Sequence, residues 1–456
     1  MILQMIIDNA FKIILGLLGL GVVVFVHELG HFLAARLVKI DVEAFSIGWG
    51  NPILKKKIGT VEYRIGGFPL GGYCKMKGET DYNEAWNNMR NNIKPESGSY
   101  LAASPAARIL VSFAGPFFNL VFAVLLLSIF WGVGFEVNTM GNKIVLLSDI
   151  TPGQTYPADD AGLKTGDRII EIEGHEISYF HEIQQGIALN PEKKLPIKVE
   201  RDGENITLQI TPSLDKSTGA GRIGVSFWAD PVIESIREGS PAERAGLLPG
   251  DIITSVNGVT LRNSLDLNLI IEGKPESFTF EYDRGGIKGE MTFTAEEVKD
   301  GFGFSWVSVY YRTPNLSFPA AVAKGISEGF NNLAVYIKSL RLLFMGIDLT
   351  KAVSGPVRIT YMMGDVATQG FEHGIGAGLR SIIEFVAIIS IALFVMNLLP
   401  LPILDGGMIV LFLVELIRGK PAHPKVISIF QTCGIVIILC LFVFAIFGDI
   451  LFFVRQ

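Results

Sequence analysis

His27, Glu28 and His31 stand close together near the start of the chain, in the stretch VVVFVHELGHFLAARLV at 22–38. On a helix, an i, i+4 spacing stacks two imidazoles on one face, one turn apart. Neutral imidazole is a good zinc ligand, and a catalytic zinc ordinarily takes three protein ligands and keeps one position for water. Glu28, beside the first histidine, is placed to serve that water as general base. The pattern HExxH is short and arises by chance in soluble helices. Here its surroundings are apolar. An ionisable side chain at bilayer depth costs about 2.5–3.5 kcal/mol on insertion scales, so three in one turn call for a shared partner.

A third ligand must come from elsewhere, and MNLLPLPILDGGMIV at 396–410 is the other polar anomaly inside an apolar run. Pro400 and Pro402 interrupt a helix, and Gly406 and Gly407 follow Asp405. Broken backbone at membrane depth is tolerated where it is buried in protein or lines a wet cavity. Counting from Asp8, His27 lies about 28 Å along its span, and counting from Glu384, Asp405 lies about 30 Å along its own, at 1.5 Å per helical residue. Both segments enter from the same side. The expected zinc ligands are therefore His27, His31 and Asp405.

The elements that carry these residues are spans. The chain has 456 residues, of which 49% are hydrophobic and 18% charged, with a mean hydropathy of +0.41. Four segments, at about 9–33, 106–133, 379–399 and 426–451, have the roughly 20 apolar residues that a spanning helix needs. The first lacks a basic leader and a small-residue cleavage site and reads as a retained span. Residues 318–345 carry Lys324, Glu328, Lys338 and Arg341 at intervals, the pattern of an amphipathic helix lying on a surface. The loop 34–108 holds 11 Lys/Arg against 7 Asp/Glu, and segment 134–380 holds 23 against 32. Basic residues gather on the cytoplasmic side, which places both termini and 134–380 outside. The net charge of −6 gives no hint of a nucleic-acid partner, and Cys74, Cys433 and Cys440 are too scattered for a disulfide framework.

The external segment contains a repeat. AGLKTGDRIIEIEGHEI at 161–177 aligns without gaps with AGLLPGDIITSVNGVTL at 245–261, at an offset of 84 residues. Each copy shows a short helix end, a Gly-Asp turn, an alternating strand and a second turn. Both copies resemble PDZ domains, which take an extended peptide along a sheet edge and catch a terminal carboxylate in a loop of backbone N–H groups. RIGV at 222–225, with Ile223, Gly224 and Val225, is expected to supply that loop to the second copy, and KIVLLSD the equivalent in the first. The expected domains are 1–133, 134–221, 222–312, a membrane-surface segment 313–378, and 379–456.

HELGH in a first span, NLLPLPILDGG in a later one and paired PDZ-like repeats between them resemble the site-2 protease family over essentially the whole chain. The resemblance implies a zinc-dependent intramembrane endopeptidase, with Glu28 as catalytic acid/base. It implies single-span substrates already trimmed by another protease, of the anti-sigma factor type, or remnant signal peptides. Asn397 matches the family pattern through Pro400, Pro402, Leu404, Asp405 and Gly406, its amide holding substrate backbone. Gly115 and Asn119 match a second motif, Asn119 as a substrate-binding residue and Gly115 equally as a site of close helix packing.

In the loop 46–79, alternation and glycine pairs predict β-hairpins, and the resemblance places a membrane-associated β-structure there. Leu70, Gly71, Gly72 and Tyr73 would then offer a strand edge on which an unwound substrate pairs its backbone before cleavage. The expected fold class is a polytopic α-helical membrane protein with about four transmembrane helices, a membrane-associated β-hairpin region and two external PDZ-like α+β domains. The expected location is the bacterial inner membrane, with termini and PDZ-like pair periplasmic. A metal transporter would spread its polar residues through the membrane thickness, and a silent PDZ scaffold would have no need of Glu28.

Overall fold

A computed structural model describes residues 2–78, 96–151, 153–216, 218–342, 355–372, 374–420 and 423–454. The chain forms two compact units, Phe135–Thr313 and the chain on either side of it. Among the described residues, Lys12–Leu37, Pro105–Val133, Ile375–Asn397 and Lys425–Phe452 are helices long and apolar enough to cross a membrane. They match the four expected spans.

Helix α1 (Ile2–Leu37) leads into strands β1 (Val42–Ile58) and β2 (Val61–Met76). Both strands bend back on themselves. Ala44–Ile47 lies between Glu62–Ile65 and Gly72–Lys75, while Leu54–Ile58 pairs with Val61–Ile65. Two strands thus give a sheet of four segments with two different edges, 54–58 and 72–75. Gly48, at φ +83°, lies where the bend brings it against the backbone of Gly66 and Phe68, a place with no room for a side chain. Phe45 anchors the sheet on α1 through edge-on contacts with Phe25 and Phe32 at 5.9 and 5.4 Å. Helix α2 (Pro105–Val133) starts with Pro105 at its first position and Ser104 accepting from the Ala107 N–H, and it stops at Gly134.

The Phe135–Thr313 unit opens on β3 (Glu136–Thr139) and β4 (Ile144–Leu146). Next come β5 (Arg168–Ile172), β6 (His175–Glu176), helix α3 (Phe180–Ala188), β7 (Leu195–Arg201) and β8 (Glu204–Ile210). Strands β9 (Ser213–Leu214), β10 (Gly221–Arg222) and β11 (Val225–Phe227) close the first copy. The second copy runs through β12 (Ile233–Ile236), β13 (Ile252–Val256), β14 (Val259–Thr260) and helix α4 (Asp266–Glu272). It continues with β15 (Ser277–Arg284), β16 (Ile287–Thr294) and β17 (Phe304–Trp306), and β18 (Val309–Arg312) pairs back with β3. The sheet orders β6-β5-β7-β8 and β14-β13-β15-β16 are equivalent.

The repeated Gly-Asp turn has a structural cause. Asp167 and Asp251 are buried, each bonded by the guanidinium that ends a neighbouring strand, Arg201 at 2.7 Å and Arg284 at 2.6 Å. The same arginines donate to the carbonyls of Gly162 and Gly246.

One expected boundary is corrected here. Residues 222–225 belong to the first copy: β11 pairs with β4, and Ile223 is buried in a core with Ile144, Ile183 and Ile210. The second core begins at Ile233. Its counterpart of RIGV is Gly301–Phe304, with Phe302 buried and β17 paired to β12.

Helices α5 (Phe318–Leu342), α6 (Pro356–Glu372), α7 (Ile375–Asn397), α8 (Asp405–Arg418) and α9 (Pro424–Val454) complete the unit that holds α1 and α2. Residues 343–354 and 373 of the segment 313–378 lie outside the described residues. The rest corrects the expectation of a surface-lying helix, because α5 runs antiparallel along α2. Gly325 faces Ser128, and Gly329 faces Val124. Leu333 and Tyr336 pack with Ala123 and Leu127. Small residues at four-residue spacing let two helices approach this closely. Helix α6 packs with α1 and α7 through Met363, Val23 and Val386. Its first turn is capped by the buried Asp449 of α9, which accepts from the N–H groups of Gly355, Val357 and Arg358 at 2.8, 3.1 and 3.1 Å.

Candidate metal centre

Helix α1 brings His27 and His31 together, with rings edge-on at 4.7 Å. The prolines at 400 and 402 end α7 in a tight turn, and α8 restarts at Asp405 with its carboxylate between the two histidines. Side chains at Gly406 or Gly407 would strike the backbone of Leu398–Leu401, so the double glycine lets the new helix begin against that turn. Ile403, at φ +79°, carries the strain of the reversal.

The donor atoms fit zinc. His27 Nε2 and His31 Nε2 are 3.2 Å apart, and the Asp405 oxygens lie 3.3 and 3.4 Å from them. Tetrahedral ligands about 2.0 Å from a common ion stand about 3.3 Å from each other. No other group of three or more His, Cys, Asp or Glu side chains among the described residues is placed to hold a metal.

The tautomers agree with this. His31 Nδ1 lies 2.8 Å from the Val111 carbonyl, which fixes the proton there and leaves Nε2 its lone pair. His27 Nδ1 lies 3.4 Å from the Asn119 side-chain amide. With its oxygen toward the ring, the amide accepts from His27 Nδ1–H and leaves Nε2 its lone pair. Asn119 is fully buried behind His27. The residue expected to meet substrate thus lies against the ring of a ligand, within reach of its Nδ1. Gly115 is also explained, since a side chain there would strike the His31 ring.

A cavity of about 440 Å³ opens on Glu28 and His31. Its walls include Gly72 and Tyr73 of β2, Ser112 of α2, Ile403 and Gln431 of α9. Gly72 packs on the Glu28 side chain, 3.1 Å from its Cγ to the position of an added Cβ. The Cys74 amide hydrogen-bonds the Glu28 carboxylate. Gly71 is held beneath Trp49, whose indole N–H donates to the Gly72 carbonyl at 3.2 Å. Leu70 is placed in β2 by its backbone alone. Asn397 ends α7, half-buried, and is not among the residues lining this cavity. Sequence reasoning missed Gln431, although a glutamine in the most apolar span is a visible signal.

A second cavity, of about 540 Å³, lies in the first repeat between α3 and β11, lined by Phe180, Ile183, Ile187, Ile223 and Phe227. Ile223, Gly224 and Val225 therefore border a groove of the first copy, not of the second.

The spans and the metal centre define a membrane-bound zinc metalloprotease. The chain belongs to peptidase family M50, whose family model matches residues 15–441. A protein of Treponema pallidum named as a zinc metalloprotease is 37% identical over 97% of this chain and 99% of its own length. A Borreliella burgdorferi protein of the same description is 32% identical over 96% and 98%. The regulator of sigma E protease of Haemophilus influenzae is 30% identical, covering 95% of this chain and 97% of that protein.

Proposed function

We propose that this protein is an intramembrane endopeptidase that cuts single-span membrane proteins at bilayer depth, after a first cut by another protease. Substrates of the anti-sigma factor type, or remnant signal peptides, fit this reading, with the protein in a bacterial inner membrane and its termini and repeats on the periplasmic face. The observation that carries it is that His27 and His31 sit in a helix apolar and long enough to span. A soluble protease has no reason to place its ligands there.

In this reading His27, His31 and Asp405 hold zinc, which when bound makes water acidic near neutral pH and polarises the scissile carbonyl. Glu28 takes the proton that water gives up as it adds to the carbonyl carbon, and returns it to the departing amine. Asn119 and the Val111 carbonyl keep the imidazoles in the required tautomer. Helical amides are bonded internally and hard to attack. The edge of β2 at Gly72–Cys74 gives an unwound substrate segment a backbone to pair with beside Glu28. The two repeats act as PDZ-like modules, with peptide capture assigned to the groove bordered by Ile223, Gly224 and Val225.

The deciding experiment measures zinc content and cleavage of a model single-span substrate by wild type and Glu28→Gln. The variant should keep zinc and lose cleavage. Full turnover in the variant overturns the assignment.

A further inference from the structure

The sheet of β1 and β2 has one edge beside Glu28, and the opposite edge carries a charge pattern that the reaction does not use. Residues 52–58 pair only on one side, and both of their faces are exposed. Ile53, Leu54 and Ile58 are 71%, 63% and 58% exposed, and Lys55, Lys56 and Lys57 stand between them. Beside this edge is a cavity of about 430 Å³ whose walls include Arg36, Lys39, Asp41, Ile58, Gly59 and Thr60.

Position and charge together name a ligand. Arg36 lies in the last turn of α1, whose apolar span ends at Leu37, so the cavity sits where the chain leaves hydrocarbon. The neighbouring acids are largely engaged: Glu62 with Arg64 at 3.1 Å, Glu43 with Lys75 at 2.8 Å. Asp41 is the acid in the cavity wall. Among the described residues Arg36, Lys39, Lys55, Lys56 and Lys57 enter no ion pair, and the Arg36 guanidinium lies over the Phe32 ring at 5.6 Å. A strand with three consecutive lysines flanked by exposed aliphatic side chains suits the boundary between acyl chains and phosphates, where lysine stems lie on apolar surface and their heads reach anions.

We infer that Arg36, Lys39 and Lys55–Lys57 form a basic patch that binds the phosphates of anionic phospholipid headgroups. The inference rests on the membrane placement proposed above. Occupancy pins the outer edge of the sheet to the leaflet, and the ladder through 61–65 and 44–47 carries that constraint to Gly72–Cys74. Anionic lipid is therefore an activator that holds the catalytic edge in place.

The test uses the full chain in nanodiscs of phosphatidylcholine alone or mixed with phosphatidylglycerol, reading hydrogen exchange at 52–66 and cleavage of a single-span substrate. Wild type should show slower exchange and faster cleavage with phosphatidylglycerol. Lys55→Gln/Lys56→Gln/Lys57→Gln and Arg36→Gln/Lys39→Gln should weaken phosphatidylglycerol binding by about fivefold per charge removed. Both should keep wild-type zinc content and wild-type cleavage in phosphatidylcholine, which separates lipid binding from the protease reading. Lys55→Arg/Lys56→Arg/Lys57→Arg should retain the lipid response. Equal behaviour of wild type in the two lipids, or an undiminished response in both glutamine variants, overturns the site. Protection of 52–66 by inorganic phosphate in phosphatidylcholine discs, equal to that by phosphatidylglycerol, overturns the lipid assignment in favour of a soluble anion.

Discussion

Arg108 and Glu415 form an ion pair at 2.7 Å with both side chains buried, joining α2 to α8. The Arg108 guanidinium also lies over the Phe412 ring at 4.6 Å, and Tyr100 packs edge-on against that ring. The pair ties together the two helices that complete the metal centre, α2 through Asn119 and Gly115, α8 through Asp405. A buried pair is weak evidence of net stabilisation, yet removing one partner leaves a charge with nothing to answer it. Arg108→Ala or Glu415→Ala should each destabilise the fold by about 3–5 kcal/mol. Arg108→Met/Glu415→Leu should recover most of that loss, as measured by unfolding in mixed detergent micelles. A loss in the double variant as large as the sum of the two single losses would show that the two side chains act independently and that the pair does not tie the helices together.

The ligand-orienting role of Asn119 is checked through metal affinity. Asn119→Leu leaves the His27 Nδ1 proton without an acceptor, and removal of such a partner typically costs 10–100-fold in affinity. Competition with a zinc chelator should show that loss. Gly115→Ala should be more severe, because the added methyl displaces the His31 ring itself. Wild-type zinc affinity in Asn119→Leu would return Asn119 to a substrate-facing role.

How much of this was legible in the sequence depended on the range of each contact. His27, Glu28, His31 and Asp405 were readable because their types are anomalous in apolar runs. Asn119 was readable as a site residue, but its contact with His27 was not, because only the packing of α1 against α2 brings its amide to that ring. The RIGV loop was assigned to the wrong copy since the strands that close each copy, β4 with β11 and β12 with β17, come from opposite ends of it. The charges of α5 read as solvated, but Glu328 bonds the Trp131 indole and Lys324 lies over its ring at 4.9 Å, so they serve the packing on α2.

The second repeat should be acid-sensitive at Asp251. Burial pushes its carboxyl up, and the Arg284 guanidinium and the Leu248 N–H more than reverse this, holding it below its ordinary value. A carboxylate depressed in the folded state adds stability that is complete above the unfolded value, about 3.9. That stability is lost as pH falls through the folded one. The protection of β13 and β15 against hydrogen exchange, taken relative to the intrinsic rate at each pH, should therefore fall as pH drops below about 4. Asp251→Asn should exchange faster at neutral pH and show a flatter acid response. An acid response in Asp251→Asn as steep as in wild type would place the sensitivity in another group.

The groove of the first repeat gives the last prediction. Its floor is apolar, and Gly224, at φ +79°, lies against Tyr156, where a side chain would collide with the ring. A peptide ending in an apolar residue should bind there by adding a strand to β11, its last side chain among Ile183, Ile187 and Phe227. Ile183→Arg puts a charge into that floor. It should abolish binding of such a peptide in a fluorescence titration while leaving zinc content and cleavage of a short single-span substrate unchanged. Because Ile183 is itself a core residue, Gln184→Trp supplies a second route, filling the groove from its rim. If both variants bind the peptide as wild type does, the groove is not the capture site, and Gly301–Phe304 of the second repeat becomes the place to look.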